Sequence, residues 1–114
     1  MGYQVCDHEH LRDLAREVHQ NSKDHGFWEA SSNIGEKLAL IHSEVSEALE
    51  EYRDGNMDAY YREDGKPEGF GSELADVIIR VLDLAEYLDL SMEEILREKI
   101  GFNATRPKLH GKLV

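Results

Sequence analysis

Residues 70–88 read FGSELADVIIRVLDLAEYL, and the spacing of their apolar side chains decides the fold class. Apolar positions recur every three or four residues, which is the period of an α-helix with one buried face. This face is wide, so we expect the helix to be the most deeply buried one of the chain. Its members are Leu74, Val77, Ile78, Val81, Leu82, Ala85 and Leu88.

Two further helices are predicted before this one. Residues from about 8 to 24 place apolar side chains at i, i+3, i+4 and i+7 spacing, and Gly26 supplies the usual left-handed stop. The next helix starts near Ser32 or Asn33, which are both good N-caps, and fades at Asp54. Its apolar stripe consists of Ile34, Leu38, Ile41, Val45, Leu49 and Tyr52.

One helix is predicted after it. Ser91 and Glu94 have the spacing of a capping box, which starts a last helix that reaches about Phe102. Residues 55–70 carry glycines and a proline without a helical period, which is typical of a long functional or mobile loop, and no segment alternates like a β-strand. We therefore expect an all-α fold, a four-helix bundle in a single domain 1–114, with residues 104–114 as a basic C-terminal tail.

The chain carries a strong negative charge. Its 114 residues include 13 Lys and Arg against 24 Asp and Glu, so the formal net charge is −11. That balance argues against binding long nucleic acids, although a metal ion could bridge the acids to one small phosphate ligand. The longest apolar run has four residues, too few to cross a membrane. Cys6 is the only cysteine and the first residues lack a signal-peptide pattern, which fits a cytoplasmic protein.

Two pairs of acidic residues, each three residues apart, lie on neighbouring predicted helices. Glu44 and Glu47 share one side of the second helix, about 60° from each other, and Glu73 and Asp76 repeat the spacing on the third. If the two helices pack antiparallel, the four carboxylates converge beside the core. Oxygen ligands in such a cluster suit Mg²⁺, with Mn²⁺ as a substitute, rather than Zn²⁺.

The alternative interpretation is that these acids are solvated. Acidic pairs at this spacing are common on exposed helix faces, and Asp83 with Glu86 has the same spacing and is interpreted as surface. Two pairs on adjacent amphipathic helices, each beside an apolar stripe, leave both interpretations open at this point.

The same residues resemble the MazG-like group of all-α nucleoside triphosphate pyrophosphohydrolases. The similarity extends from about Leu11 to Lys112, and an E-x-x-E pair followed by E-x-x-D is the metal motif of this family. The matching segments are residues 36–48 (EKLALIHSEVSEA), 65–70 (GKPEGF), 73–77 (ELADV), 99–107 (KIGFNATRP) and 111–112 (GK).

The resemblance implies a reaction in which an NTP and water give an NMP and pyrophosphate, with Mg²⁺ as the cofactor. It implies catalytic metal ligands at Glu44, Glu47, Glu73 and Asp76. One of these acids, or Glu51, would orient or deprotonate the attacking water. Phosphate-binding residues would be Lys37, Asn103, Arg106 and Lys112. The last segment is rich in basic residues, which supports the assignment of phosphate binding to Asn103, Arg106 and Lys112. A solvated C-terminus explains single lysines equally well.

Candidates for contact with the nucleobase lie near the end of the first helix and on the third. Trp28 lies in a short link, where its ring could stack on a base or anchor the core. Gln20, with His19 and Asn21, occupies the region that relatives use for the base, or is a surface polar residue. Arg80 follows Asp76 by one turn and would meet substrate or pair with the acids.

The predicted helices have more apolar face than a small monomer can cover, so we expect a homodimer or homotetramer, as in the family that the chain resembles. The expected function is hydrolysis of surplus or non-standard (deoxy)nucleoside triphosphates, with no long nucleic acid and no membrane as partner. Two alternatives stay open: a nucleotide-binding regulatory module of the same fold without turnover, and a structural oligomerisation domain.

Overall fold

A computed structural model describes residues 4–29 and 31–107, which form four α-helices and one short β-hairpin. The helices are α1 (Leu11–Asp24), α2 (Ile34–Arg53), α3 (Phe70–Tyr87) and α4 (Met92–Ala104). Between α2 and α3, β1 (Tyr60–Tyr61) pairs antiparallel with β2 (Pro67–Glu68). The prediction of a mostly helical chain is confirmed. The hairpin was not predicted, because two residues per strand are too few to show an alternating pattern.

The helix ends follow the capping residues. The side chain of Asn33 accepts a hydrogen bond from Glu36 N at 3.1 Å, and the side chain of Ser91 accepts one from Glu94 N at 3.4 Å. Helix α1 begins at Leu11 rather than near residue 8, and its N-cap residue, His10, makes no side-chain capping hydrogen bond. Helix α4 continues to Ala104, past its predicted end near Phe102, so its last residue is also the first residue of the predicted basic tail.

Helix α3 packs against both α2 and α1 and has more buried residues than the other helices, as predicted. Leu74, Ile78 and Leu88 of its predicted buried face are nevertheless 42% to 57% exposed. Its buried apolar residues are Leu82, Leu84 and Ala85, joined by Ala15 from α1 and Ala48 from α2. Among the described helices, α4 contacts α1 and α3, and none of its own residues is buried. In the described part of the chain, no helix combines the length and the apolar character that crossing a membrane requires.

Helix α2 presents an unexpected side to α3. Its buried residues are Glu44 and Ala48, whereas Val45, Leu49 and Tyr52 of the predicted apolar stripe are 45% to 61% exposed. The stripe lies about 90° round the helix from the acids, and only one of the two sides can face α3. An extended apolar surface is therefore left uncovered on the single chain.

The segment between α2 and α3 returns to the start of α3 through a glycine. Gly69 has φ +112, and a Cβ at this position would lie 2.7 Å from the backbone oxygen of Asp58. The next residue, Phe70, donates its N–H to Asn56 O at 2.9 Å. These contacts hold the hairpin against the first turn of α3, where the predicted acidic residues begin.

Candidate metal centre and adjoining cavity

Three carboxylates converge where α2 and α3 face each other. Oxygen atoms of Glu44, Glu47 and Glu73 all lie within 4.8 Å of one another, and we call these residues the acid cluster. The helices run antiparallel, since Glu44 meets Arg80 late in α3 whereas Glu47 meets Glu73 early in it. Glu44 and Glu73 are only 8% and 9% exposed, so this is not an ordinary solvated face. Antiparallel packing thus brings three of the four expected carboxylates within this distance, whereas Asp76 is not among them.

A cavity of about 440 Å³ opens on the acid cluster, and we call it the acid cavity. Asp76 lines it beside the cluster, together with residues that the spacing argument did not single out. The described residues that line it are Glu44, Glu47, Glu50, Glu51, Lys66, Glu68, Glu73, Asp76 and Arg80. Lys66 and Glu68 come from the hairpin. Only their place in the GKPEGF segment hinted at a role, because a loop without a helical period cannot be placed from spacing.

Burial and mutual repulsion raise the pKa values of Glu47, Glu73 and Asp76. Burial, followed by the charges of Asp76, Glu47 and Glu44, raises the pKa of Glu73 to about 7. A hydrogen bond and the charge of Glu44 raise the pKa of Glu47 above its usual value. Burial and the charge of Glu44 also raise the pKa of Asp76, against the opposing charge of Arg80. Carboxylates this close repel one another when they are ionised, and a divalent cation bound among them would offset that repulsion.

The donor atoms fit a hard divalent cation. Every candidate ligand is a carboxylate oxygen, which Mg²⁺ and Mn²⁺ prefer over the nitrogen and sulfur atoms preferred by Zn²⁺. One oxygen of Glu51 is buried and has no hydrogen-bond partner among the described residues. A buried acceptor is costly unless it is paired, so this atom also favours a cation or a bound water in the cavity.

The predicted phosphate-binding residues lie elsewhere in the described chain. Lys37 Nζ donates to Phe27 O at 2.5 Å and lies 4.3 Å from the centre of the Trp28 ring. Asn103 and Arg106 are exposed on and just after α4, and neither lines the acid cavity. Lys112 falls outside the described residues. Within residues 4–29 and 31–107, the cations that line the acid cavity are Lys66 and Arg80.

A second cavity of about 210 Å³ adjoins the acid cavity and shares Glu44, Asp76 and Arg80 with it. We call it the adjoining cavity. Arg80, one of the candidates for base contact, stands at this boundary and donates from Nε to Glu44 Oε1 at 2.7 Å. The remaining lining is Asn21, Ser22, His25, Phe27, Ile79 and Asp83.

Of the other candidates for base contact, Asn21 lines the adjoining cavity, whereas Gln20 and Trp28 line neither cavity. Gln20 is exposed and donates from Nε2 to Asp24 Oδ1 at 2.8 Å. The Trp28 ring stacks on Tyr87 with centroids 4.0 Å apart, and its indole N–H donates to Asp83. The interpretation of Asp83 as a surface acid is wrong, because its side chain is only 15% exposed and is surrounded by donors.

Comparison with known proteins gives no match: no family model fits the chain, and neither the curated proteins nor the solved structures contain a similar one. The chemistry of the site rests on three features: the acid cluster, the two cavities that meet at it, and Arg80, which donates a hydrogen bond to Glu44.

Proposed function

We propose that the chain is a Mg²⁺-dependent nucleoside triphosphate pyrophosphohydrolase, of the MazG-like group that its motifs resemble. It cleaves the α–β phosphoanhydride of a (deoxy)nucleoside triphosphate to give the monophosphate and pyrophosphate. The single observation that carries the proposal is the convergence of Glu44, Glu47 and Glu73 within 4.8 Å, half-enclosed at one end of a polar cavity. An all-oxygen site of this kind suits a cation that must also contact phosphate oxygens.

The acid cluster and Asp76 hold the cation in this proposal. Bound there, Mg²⁺ neutralises the charge of the triphosphate and offsets the repulsion among the carboxylates. Glu73, whose pKa is raised to about 7, exchanges its proton near neutral pH and is ionised when a cation is held. Among the described residues, Lys66 and Arg80 are the cations that line the same cavity, and in this proposal they contact phosphate oxygens.

Glu51 is the acid that the geometry favours for orienting the attacking water. Its Oε1 accepts a hydrogen bond from the Tyr60 hydroxyl at 3.3 Å, which leaves the buried, unpartnered Oε2 for a further donor. A water molecule that donates to this oxygen would be held inside the acid cavity, beside the cluster. Positioning of a nucleophile in this way is a large part of catalysis of phosphoryl chemistry.

The active form in this proposal is a homodimer or homotetramer. The exposed stripe of α2 and the uncovered apolar residues of α4, such as Ile100 at 63% exposure, form surface that a second copy would bury. None of the 13 residues of α4 is buried, so a partner that covers this helix would add to the stability that its contacts with α1 and α3 supply. Association also offers a route by which Asn103 and Arg106 of one copy reach phosphates held by another.

The test is pyrophosphate release from a panel of standard, deoxy and modified nucleoside triphosphates with Mg²⁺. Wild type is expected to turn over at least one of them, and Glu47→Gln to lose activity by about 10²-fold or more, because an uncharged amide is a poor metal ligand. Glu98→Gln is the matched control, since Glu98 is an exposed glutamate on α4. A chain that turns over no triphosphate, or a Glu47→Gln variant as active as the control, would overturn the proposal.

A further inference from the structure

The carboxylate of Asp83 accepts hydrogen bonds from three different side chains. His19 Nδ1 donates to its Oδ1 at 2.6 Å and Ser22 Oγ donates to its Oδ2 at 2.6 Å. The indole N–H of Trp28 is shared between the two oxygens, at 2.9 and 3.0 Å. We call these four residues the Asp83 cluster. It joins α1, the link after it and α3.

The bonding pattern assigns Asp83 to holding its neighbours rather than to contacting a ligand. A carboxylate has about four lone-pair directions, and the four contacts from His19, Ser22 and Trp28 use them. An ionised carboxylate only accepts, so His19 carries its proton on Nδ1. The arrangement is not a nucleophilic relay, because the Ser22 hydroxyl donates to the aspartate and not to the imidazole.

Asp83 thereby fixes the place of the Trp28 ring. Tyr87 stacks on the ring with an interplanar angle of 11°, and Lys37 Nζ lies 4.3 Å from its centroid. Since Tyr87 already covers one face, the ammonium group lies over the other. The His19 ring meets the indole in an edge contact at 5.7 Å. With both faces and its N–H engaged, Trp28 is a rigid support for the neighbouring Phe27.

The Asp83 cluster forms one end of the adjoining cavity. Asp83 and Ser22 line this cavity directly, and Phe27, next to the fixed indole, lines it with a ring that is 56% exposed. Ile79 adds an apolar side chain to the lining. A cavity with an exposed aromatic ring and an apolar side chain, open to the acid cavity, has the chemistry to take a flat heterocycle whose phosphates extend toward the acids.

We propose that Asp83 is a positioning residue for the nucleoside half of the substrate. It holds His19, Ser22 and Trp28 so that the link carrying Phe27 keeps the adjoining cavity open for the base and sugar. This inference rests on the proposed function for the identity of the ligand. It adds a residue that acts on nucleoside binding through its neighbours, without touching the phosphates or the cation.

The experiment compares wild type with Asp83→Asn, which keeps the shape but loses the charge. Trp28 is the only tryptophan, so its indole ¹H–¹⁵N resonance and its emission report on one site. The probes are the α,β-methylene analogues of deoxynucleoside triphosphates, titrated with Mg²⁺, and pyrophosphate alone. We expect a shifted indole resonance, analogue affinity lower by about tenfold, KM raised by a similar factor and kcat within about threefold. Pyrophosphate affinity stays unchanged, because only the nucleoside half is affected.

Ser22→Ala serves as the second variant if Asp83→Asn does not fold, and it shifts the same readouts in the same direction by a smaller amount. Asp7→Asn is the control, at an exposed aspartate before α1. An unmoved indole resonance, or a moved one with unchanged analogue affinity and KM, would overturn the positioning role. Equal weakening of pyrophosphate and analogue binding would also overturn it. Failure of the proposed function looks different, because wild type itself then neither binds analogues nor releases pyrophosphate.

Discussion

Arg80 Nε donates to Glu44 Oε1 at 2.7 Å, which places a cation of the chain on the most buried carboxylate of the acid cluster. The guanidinium stands at the boundary of the two cavities. It offsets part of the negative charge while leaving Glu47 and Glu73 facing the acid cavity. Part of the formal net charge of −11 is therefore concentrated at the acid cluster. Arg80 offsets some of this negative charge, and the proposed metal ion would offset more of it.

Removing the arginine should destabilise the metal-free protein. Arg80→Ala leaves Glu44 buried without its donor, so we expect the free energy of unfolding to fall by about 1–3 kcal/mol in EDTA. Mg²⁺ should restore part of that loss by neutralising Glu44. Urea denaturation with and without Mg²⁺ measures both effects. Arg62→Ala, which breaks an exposed pair with Asp64, is the control and should cost less than about 1 kcal/mol. Equal losses in the two variants would contradict this.

The stability of the metal-free protein should fall as pH rises from about 5 to 8. The pKa of Glu73 is about 7 in the folded state against a usual value of 4.5, so the folded state binds the extra proton between these pH values. Stability falls with pH wherever the folded state binds more protons. The raised pKa values of Glu47 and Asp76 act in the same direction.

Thermal melting in EDTA across this pH range measures the effect. Glu73→Gln should flatten the slope, because glutamine does not titrate, whereas Glu98→Gln should keep the slope of wild type. A Glu73→Gln variant that melts with an unchanged pH slope would show that Glu73 does not hold the proton.

The fold should depend on the glycine that starts α3. Gly69→Ala places a methyl group in a backbone region reserved for glycine and 2.7 Å from Asp58 O, so we expect a loss of at least about 1–3 kcal/mol. Gly71 is a matched control because a Cβ there meets nothing within 4 Å, and Gly71→Ala should be neutral or stabilising. Chemical denaturation compares the two. A Gly69→Ala variant as stable as Gly71→Ala would contradict the geometry described for this turn.

The helices were predictable from the sequence because their signals are local. The N-caps Asn33 and Ser91 and the stop at Gly26 lie where the pattern placed them. The orientation of α2 was not predictable in this way. An apolar stripe indicates that another surface covers this side of the helix. The sequence does not distinguish whether that surface belongs to α3 or to a second copy of the chain.

The residues of the candidate site likewise fall into those that local spacing predicts and those that it does not predict. Glu44 and Glu47 lie on one helix and Glu73 on the next, so spacing was enough to bring them together. The position of Lys66 depends on the path of the segment between α2 and α3, which spacing along the sequence does not predict. Asp83 looked like a surface acid because the donors that compensate its burial, such as His19, come from another part of the sequence.

The uncovered stripe of α2 predicts association. Wild type should sediment as a dimer or tetramer at micromolar concentration, and Leu49→Glu should shift it toward monomer by placing a charge in the contact. Sedimentation equilibrium measures both. Gln4→Glu adds a charge at an exposed position outside the helices and should leave the assembly unchanged. A wild-type chain that is monomeric at these concentrations would rule out the proposed oligomer.

The most direct test of the central claim is to identify the products by ³¹P NMR when wild type is incubated with a nucleoside triphosphate and Mg²⁺. The account predicts equal amounts of nucleoside monophosphate and pyrophosphate, with formation stopped by EDTA and nearly abolished in Glu47→Gln. Nucleoside diphosphate with inorganic phosphate, or product formation unchanged by EDTA, would contradict it.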